Sequence, residues 1–423
     1  MSFPRYEHYK DSGVVWLGEV PARWDFVPLK RLVSIQNGSD HKHIEQEEGV
    51  PVIGSGGVFA YASDFIYDGE SVLLGRKGTI DKPLYVSGKF WTVDTMYWTK
   101  IMPGACGRFV YYAALTIPFN YYSTNTALPS MTKGALDAHV ITRPPLPEQH
   151  AIAAFLDRET AKIDALIAEQ QRLVALLAEK RQAVISHAVT KGLNPDAPMK
   201  DSGIEWLGEV PAGWEVLTLG RVTLDRCDGP FGSGLKSTHY TDMGVRVIRL
   251  QNIRRDGFDD SDSAFIDETY YREELSGHDV LQGDLLIAGL GDDKNTVGRT
   301  CVAPVGIEPA MVKADCFRFR LDTKRALPEF IATQLTDGSA ADAGLLSSGS
   351  TRSRIPLSVM SSRKIALPPL LEQKQIASFL RSEFTKFDTL TAEAQRAIAL
   401  LQERRTALIS AAVTGKIDVR GQL

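Results

Sequence analysis

The sequence predicts an α+β protein with an internal pseudo-two-fold duplication, in which two mainly β domains are separated by two long helices packed on each other as a coiled coil. Three observations predict this fold. A long helical pattern occurs twice, a tryptophan-containing segment occurs twice, and each copy of that segment precedes short apolar runs divided by glycines. The duplicated parts are similar and the stretches between them are not. The helices are therefore predicted to have one constant task and the β domains two different ones.

The first helical pattern covers residues 146–190 and follows a Pro-Pro pair. Its apolar positions recur in steps of four and three residues, the 3.5-residue period of a helix that packs along its length against a partner helix. The partner lies 224 positions further on, where residues 370–414 are identical at 26 of 45 positions. We expect the polar seam positions to fix the register by contacts across the pair; the alternative is that their charged ends extend from the edges of the seam into solvent. The predicted seam includes Ile152, Leu156, Glu159, Leu166, Leu177 and Lys180 of the first helix and Ile376, Leu380, Glu383, Leu390, Leu401 and Arg404 of the second.

The tryptophan-containing segment, KDSGVVWLGEVPARW at residues 10–24, returns at residues 200–214 with 12 of 15 positions unchanged. Its glycines, proline and indole rings predict a turn-rich cap that docks on an apolar surface, which we expect to be the helix pair. The apolar runs after each cap have strand length and turn signals every 8–12 residues, as in compact β domains. The predicted division is a cap and first β domain at 1–143, a first helix at 144–193, a second cap and β domain at 194–367, and a second helix with the C-terminal tail at 368–423.

Composition narrows the class of protein. The chain has 423 residues and a formal charge of −4, so it lacks the overall basic charge of a protein that grips nucleic acid alone. Its four cysteines form no C-x-x-C pair, which argues against a zinc knuckle or a disulfide framework. The polar N-terminus and the lack of an apolar run of about 18 residues predict a cytoplasmic protein that does not enter a membrane. Nucleotide-binding, metalloprotease, methyltransferase and nuclease motifs are absent, so no catalytic or metal-ligating residue is predicted.

Polar motifs in the β domains have the chemistry of DNA contacts. In the second domain, a Gly/Ser loop at residues 228–237 could bind phosphate oxygens, and Arg249 and Asn252 at a strand end could pair with base edges. The segment 350–356 adds arginines and hydroxyls. For each motif an ordinary exposed turn is the alternative. The predicted DNA-binding residues of the second domain are Ser233, Lys236, Ser237, Arg249, Asn252, Thr351, Arg352 and Arg354, and those at comparable places in the first domain are Ser55, Arg76, Lys77, Ser130 and Lys133.

The order and duplication of these motifs resemble the DNA-specificity subunits of type I restriction-modification systems, over nearly the whole chain. The duplicated caps, the duplicated helices and the sequences GSGLKS, GDLLI, GRT and STR of the second domain carry the resemblance. Through the GRT sequence, Arg299 joins the predicted DNA contacts. The first domain lacks the corresponding loop and Thr-Arg pair, so its assignments rest on position alone.

The resemblance implies a non-catalytic subunit in which two target-recognition domains are held apart by the two helices packed as an antiparallel coiled coil. Each domain would read one half of a split, asymmetric site in double-stranded DNA. The resemblance also implies two adenine-N6 methyltransferase subunits docked on the helices and restriction/translocase subunits joined to that core. The chain itself would need no cofactor, because S-adenosylmethionine, ATP and Mg would belong to the partners. Roughly 40 helical residues span about 60 Å, so the helices would set the unread spacer.

The sequence leaves two other classes of protein open. One is a structural coiled-coil scaffold with inert β domains, which would bind no DNA sequence specifically. The other is a stand-alone DNA-modifying enzyme, which the missing motifs disfavour. Sequence-specific methylation that requires a partner would separate these alternatives from a specificity subunit.

Overall fold

A computed structural model describes residues 3–122, 129–292, 294–346 and 353–421. The chain forms two compact units, Met1–Arg172 with Ala394–Leu423 and Leu173–Glu393. Each unit contains one β domain and a part of both long helices, so the units divide the helices that the sequence assigned to segments of their own. The helices are α1 (Gly107–Ala114), α2 (Phe119–Tyr122), α3 (Lys133–Ala138), α4 (Leu146–Lys191), α5 (Glu268–Tyr270), α6 (Pro328–Leu346), α7 (Leu357–Ser362) and α8 (Leu370–Val413).

The β domain of the first unit contains a four-stranded sheet and a five-stranded sheet. The four-stranded order is β4-β12-β9-β10 and the five-stranded order is β5-β7-β6-β11-β8, with β6 and β11 parallel. The strands of this unit are β1 (Tyr9–Asp11), β2 (Glu19–Pro21), β3 (Asp25–Pro28), β4 (Val33–Asn37), β5 (Glu45–Gln46), β6 (Val50–Gly54), β7 (Gly57–Ala62), β8 (Tyr67–Asp68), β9 (Ser71–Gly75), β10 (Leu84–Val86), β11 (Lys89–Thr92), β12 (Met96–Ile101) and β13 (Val140–Arg143).

The β domain of the second unit repeats this topology. Its four-stranded order is β17-β28-β24-β26 and its five-stranded order is β18-β22-β19-β27-β23, again with one parallel pair, β19 and β27. Its strands are β14 (Met199–Asp201), β15 (Glu209–Pro211), β16 (Glu215–Thr218), β17 (Thr223–Cys227), β18 (Tyr240–Thr241), β19 (Val245–Ile248), β20 (Ile253–Arg254), β21 (Gly257–Phe258), β22 (Phe265–Ile266), β23 (Asp279–Val280), β24 (Leu285–Ala288), β25 (Leu290–Gly291), β26 (Thr300–Val302), β27 (Ala310–Val312), β28 (Cys316–Leu321), β29 (Ser353–Arg354) and β30 (Lys364–Leu367).

The predicted α+β fold with an internal duplication is therefore confirmed, and the duplication extends into the β domains despite their dissimilar sequences. Strand pairing depends on the alternation of apolar and polar residues and on turn positions, so different residues can specify the same sheet. The main difference is an insertion. Where the first domain joins β6 to β7 by Ser55 and Gly56, the second places residues 249–264 and the β20–β21 hairpin between β19 and β22.

The two long helices pack antiparallel within each unit. In the first unit, Ile152 and Leu156 near the start of α4 share a core with Ala412 and Val413 near the end of α8. In the second unit, Val189 near the end of α4 shares a core with Ile376 and Leu380 near the start of α8. Leu177 is also buried and Leu401 is half-buried, as the seam prediction requires.

The middle of the predicted seam is wrong by one residue. Leu166 and Leu390 are 52% and 46% exposed, and Lys180 and Arg404 are exposed. The cause is an extra step of four residues from Leu156 to the buried Thr160, after which the seam continues through Ile163 and Ile167. The next step, from Thr160 to Ile163, is three residues, so only alternate positions of the predicted seam are displaced by one residue, and Leu177 keeps its predicted place.

The predicted polar contacts across the helix pair are also corrected. Glu159 accepts hydrogen bonds from Lys162 and Arg158 of its own helix, and Glu383 accepts one from Lys386. The hydrogen bond from Lys162 is the main reason that the pKa of Glu159 is lowered. A glutamate has a lysine three residues away within reach on its own helix, so the local pair forms in preference to a contact across the seam.

Ion pairs across the helices occur instead at positions that the seam prediction passed over. Asp164 accepts a hydrogen bond from Arg405 at 2.8 Å in the first unit, and Arg181 pairs with Asp388 in the second. The offset of 224 relates Asp164 to Asp388 and Arg181 to Arg405. Each unit therefore repeats the same antiparallel contact, which contributes to the register of its helices.

The caps dock on two surfaces. The indole of Trp24 is fully buried beside Gly415, which ends α8 in a left-handed conformation (φ 74°). In the second unit, Trp214 is buried and its Nε1 donates to Glu372 of α8 at 3.1 Å. Trp16 instead stacks on His139 of its own β domain, with the ring centroids 4.9 Å apart. The second tryptophan of each cap therefore follows the prediction of docking on the helices, and Trp16 does not.

A buried glutamine joins each long helix to its β domain. Gln149 and Gln373 are fully buried at the N-termini of α4 and α8 and occupy equivalent positions in the duplication. Gln149 accepts from the Cys106 backbone N–H at 2.9 Å, and Gln373 accepts from that of Leu327 at 2.7 Å. These bonds explain why the glutamine recurs in both copies. In the part of the chain that the structure describes, no helix is long and apolar enough to span a membrane.

Candidate nucleic-acid interface

The predicted polar residues of the second domain lie on loops that tertiary contacts bring together. These loops follow strands β17, β19 and β24, and the fourth contributing segment is β29. Strand β29 pairs antiparallel with β25, which places Arg354 beside Leu290. Residues separated by more than a hundred positions in the chain thus share one region of the domain.

Arg354 connects β29 to the Gly/Ser loop. Its Nε donates to Asp315 Oδ1 at 2.8 Å, and its guanidinium carbon lies 5.3 Å from the centroid of the Phe231 ring. The Arg354 side chain is half-exposed, so its remaining N–H groups can reach a phosphate or a base edge. Lys236 and Ser237 are exposed on the same loop as Phe231. Thr351, Arg352 and the side chain of Ser233 lie outside the described residues, so the predictions for them stay predictions.

The proposed direct contacts of Asn252 and Arg299 with DNA are corrected, because both residues are buried and engaged within the domain. Asn252 accepts from the Arg249 backbone N–H at 2.9 Å and donates to backbone carbonyls of Asp259 and Asp262 at 2.9 and 2.7 Å. With its amide used in this way, Asn252 has no free edge to present to a base. Its role is to shape the loop after β19.

Arg299 has a similar structural role. Its guanidinium donates to the backbone carbonyls of Ile253 at 2.7 Å and Leu250 at 2.8 Å on one loop. It also donates to three carbonyls of the neighbouring loop, those of Leu290, Asn295 and Thr296. Burial lowers the pKa of Arg299 from its usual value, although guanidinium groups keep their charge in proteins. Arg299 therefore holds two candidate DNA-binding loops together.

In the first domain, three of the predicted residues lie close together. Lys77 and Ser130 form an antiparallel β-bridge, which corresponds to the β25–β29 pairing of the second domain. The neighbouring Arg76 donates to the Asp94 carbonyl at 3.3 Å and lies over the Tyr97 ring. Lys133 is exposed at the start of α3. Ser55 lies in the β6–β7 turn, the place that the long insertion occupies in the second domain.

The carboxyl group of Asp228, at the start of the Gly/Ser loop, has a pKa above its usual value. Burial raises the pKa of Asp228 to about 6, although its Oδ1 accepts from the backbone N–H groups of Gly229 at 2.7 Å and Asp315 at 3.0 Å. Between pH 4 and 6 the folded protein therefore binds more protons at this site than the unfolded chain does. The stability contributed by protonated Asp228 is fully present below about pH 4 and is lost as the pH rises through about 6.

We expect the substitution Asp228→Asn to raise the thermal unfolding midpoint at pH 7.5, because it removes the half-buried charge and keeps the hydrogen-bond acceptor. The difference from the wild type should shrink towards zero at pH 4. Calorimetry across this pH range would measure it. Asp292→Asn is the control, because hydrogen bonds from the Asn295 and Lys294 backbones lower the pKa of Asp292 and removal of its charge should give no gain at pH 7.5. An Asp228→Asn protein that is less stable than the wild type at pH 7.5 would contradict this account.

Sequence reasoning missed two carboxylates of this region, Asp315 and Asp262. Asp315 holds Arg354, while Asp262 accepts hydrogen bonds from both Arg249 and Gln251. Asp315 lies 39 residues from Arg354 in the chain, and no local sequence pattern predicts their contact. Asp262 belongs to the acidic run DDSD at residues 259–262, which follows the predicted base contacts closely enough to have been a signal.

Comparisons with known proteins show which family the chain resembles. The family model for the type I restriction modification DNA specificity domain matches residues 21–174 and 279–400, more than half of the chain. The chain belongs to this family.

Its relatives include the specificity subunits of the type I restriction enzymes EcoKI and EcoBI. The chain is 24% identical to the EcoKI subunit of Escherichia coli K12 over 303 residues, which cover 70% of this chain and 62% of the relative, less than two thirds of its length. It is 22% identical to the EcoBI subunit of Escherichia coli over 424 residues, which cover 94% of this chain and 87% of the relative.

Solved structures show the same fold. A chain from a structural study of complex assembly and conformational transition in a type I restriction-modification system superposes with a TM-score of 0.71 at 17% identity, over 96% of this chain and 99% of that one. The HsdS subunit from Thermoanaerobacter tengcongensis superposes with a TM-score of 0.53 at 15% identity, over 94% and 98% of the two chains.

Proposed function

We propose that this chain is the DNA sequence-recognition subunit of a type I restriction-modification complex, in which each β domain reads one half of a bipartite site. The observation that carries the proposal is the repetition of one two-sheet topology in domains of dissimilar sequence. Both domains place candidate DNA-binding residues on corresponding loops, and the residues differ between them. A common scaffold with different loop residues is what two different half-sites require, because base edges are read by the side chains presented to them.

The helices support a second part of the proposal, the docking of two methyltransferase subunits that methylate adenine N6. Leu166 and Leu400 of the first unit and Leu390 and Leu176 of the second are all about half-exposed. The offset of 224 residues relates Leu166 to Leu390 and Leu176 to Leu400. Exposed leucines at equivalent positions in both units favour two equivalent binding sites for an apolar partner surface.

In this proposal the chain supplies recognition and its partners supply chemistry. S-adenosylmethionine would be bound by the methyltransferase subunits, and ATP and Mg by restriction/translocase subunits. The family assignment supports a non-catalytic role for this chain. The near-zero balance of charge also fits, since phosphate contacts made by partner subunits would add to the affinity of the complex for DNA.

The proposal is tested by exchanging residues 25–143 for the first β domain of another family member and mapping adenine methylation genome-wide in cells that contain the partner subunits. We expect one half of the methylated sequence to change and the other half to keep its bases. The unmodified chain with its partners is the positive control, and the purified chain with S-adenosylmethionine should methylate nothing. A change in both halves would show that the domains read DNA jointly. Methylation by the chain alone would show that it is an enzyme, and methylation without any sequence preference would support the scaffold alternative.

A further inference from the structure

The segment of residues 249–253, which follows β19 in the second domain, is fixed from two sides. The guanidinium of Arg299 donates hydrogen bonds to two carbonyls of the segment, that of Leu250 at 2.8 Å and that of Ile253 at 2.7 Å. The fully buried Asn252 accepts the backbone N–H of Arg249 at 2.9 Å. The backbone of this segment, here called the reading segment, is thus immobilised, while the Arg249 and Gln251 side chains extend from it towards the surface.

The carboxylate of Asp262 also fixes these two side chains. Its Oδ1 accepts a hydrogen bond from Arg249 Nη2 and its Oδ2 accepts one from Gln251 Nε2. A single carboxylate thereby holds an arginine and a glutamine next to each other. The Arg249 side chain keeps about a quarter of its surface exposed and Gln251 is exposed, so both retain donors for an external partner.

The acidic loop at residues 259–262 covers part of the reading segment, and it could act either as a support or as a removable cover. Its anchoring favours a support. Buried Asn252 donates to the backbone carbonyls of Asp259 at 2.9 Å and Asp262 at 2.7 Å, and the Asp259 backbone N–H donates to the Asn252 carbonyl at 2.8 Å. Moving the loop away would leave these buried polar groups without hydrogen-bond partners, which is unfavourable.

We infer that Asp262 is a positioning residue that holds Arg249 and Gln251 as a pair for reading two purine edges in the half-site of the second domain. Arginine pairs bidentately with guanine O6 and N7, and glutamine pairs with adenine N6 and N7. Side chains that are already held in place lose less conformational freedom on binding. This inference rests on the proposed function. The reading segment belongs to the insertion of the second domain, and the first domain has the short Ser55–Gly56 turn at the equivalent place.

The test selects DNA from a pool of randomised 30-base-pair duplexes with the full-length chain assembled with its methyltransferase partner. The variants are Asp262→Asn, Arg249→Ala and Gln251→Ala. We expect Arg249→Ala and Gln251→Ala each to lose about 5–150-fold discrimination at a single base position, a guanine and an adenine respectively. Asp262→Asn should lose roughly tenfold at those same two positions, and every other position should keep its preference. A merely structural defect would lower binding to all sequences and would not select these two bases.

The matched control is Asp260→Asn. Asp260 belongs to the same acidic loop, and its carboxylate pairs with Arg246. The substitution should leave the selected motif unchanged. Equal relaxation in the Asp260 and Asp262 variants, or an unchanged motif in Asp262→Asn, would overturn the inference and leave the proposed function standing. Tighter binding of the Asp262→Asn variant to all DNA sequences would also overturn the inference, because that result is expected if the acidic loop is a removable cover. If the wild-type complex itself selects no motif, the proposed function fails, and the inference fails with it. If Asp262→Asn does not fold, the two alanine variants decide whether the reading segment specifies a guanine and an adenine.

Discussion

Replacing Arg299 with alanine is expected to destabilise the second unit by about 3–5 kcal/mol, the cost of removing one partner from a buried charged network. The guanidinium binds five backbone carbonyls, at distances from 2.7 to 3.3 Å, and two loops meet at this group. Alanine would leave those carbonyls without their donors at a place where one of the five hydrogen bonds is buried and the others are partly buried. The reading segment would lose its fixed backbone, and discrimination at the second half-site should fall by at least a hundredfold.

Urea unfolding would measure the stability change, and binding to duplexes altered in one half-site at a time would measure discrimination. Arg299→Lys should give an intermediate result, because a lysine keeps the charge but has three donors without the planar geometry of a guanidinium. Arg325→Ala is the matched control, since Arg325 is exposed and pairs with the exposed Glu215. Reading of the first half-site should be normal in all three variants. An Arg299→Ala protein that unfolds at the same urea concentration as the wild type and still discriminates the second half-site would contradict the structural role.

Arg299 also shows where sequence reasoning stops. The motif around it predicted a functional arginine, and the structure does connect it to the candidate interface. Its partners at Leu250 and Ile253 lie 49 and 46 residues away, however, and whether an arginine is exposed or enclosed depends on such long-range contacts. Asn252 was assigned to base contacts for the same reason, because residue type alone does not distinguish an amide that reads a base from one that supports a loop.

The helices were predicted more successfully, because a hydrophobic period is a local property of the chain. Leu156 and Leu380 are buried as their positions in the repeat require. The error at Leu166 and Leu390 came from assuming an uninterrupted 3.5-residue period. The step of four residues to Thr160, where three were predicted, became visible only through burial, since a threonine whose hydroxyl donates to the Leu156 carbonyl at 2.6 Å can occupy an interior position. The duplication made the error symmetrical, so comparing the two copies could not reveal it.

The exposed leucines on the helices give the other large expected effect. We expect the double substitution of Leu390 and Leu176 by glutamate to remove one of the two methyltransferase subunits that we propose for the complex. Substituting Leu166 and Leu400 as well should remove both. Apolar anchors at an interface typically contribute 2 kcal/mol or more, so losing two should weaken docking by about a hundredfold or more. A glutamate would also place an unpaired charge in the interface.

Native mass spectrometry of the chain mixed with purified partner would report the stoichiometry directly. The variants should fold normally, because the substituted side chains are about half-exposed and the seam residues beside them are unchanged. Val305→Glu is the control, since Val305 is 81% exposed on the second β domain and should have no part in docking. Because the two sites are equivalent, each double variant should lose one methyltransferase subunit and retain the other. Full loss from a single double variant would mean that the two sites act as one, and retention of both partners by the fourfold variant would show that the methyltransferase binds elsewhere on the chain.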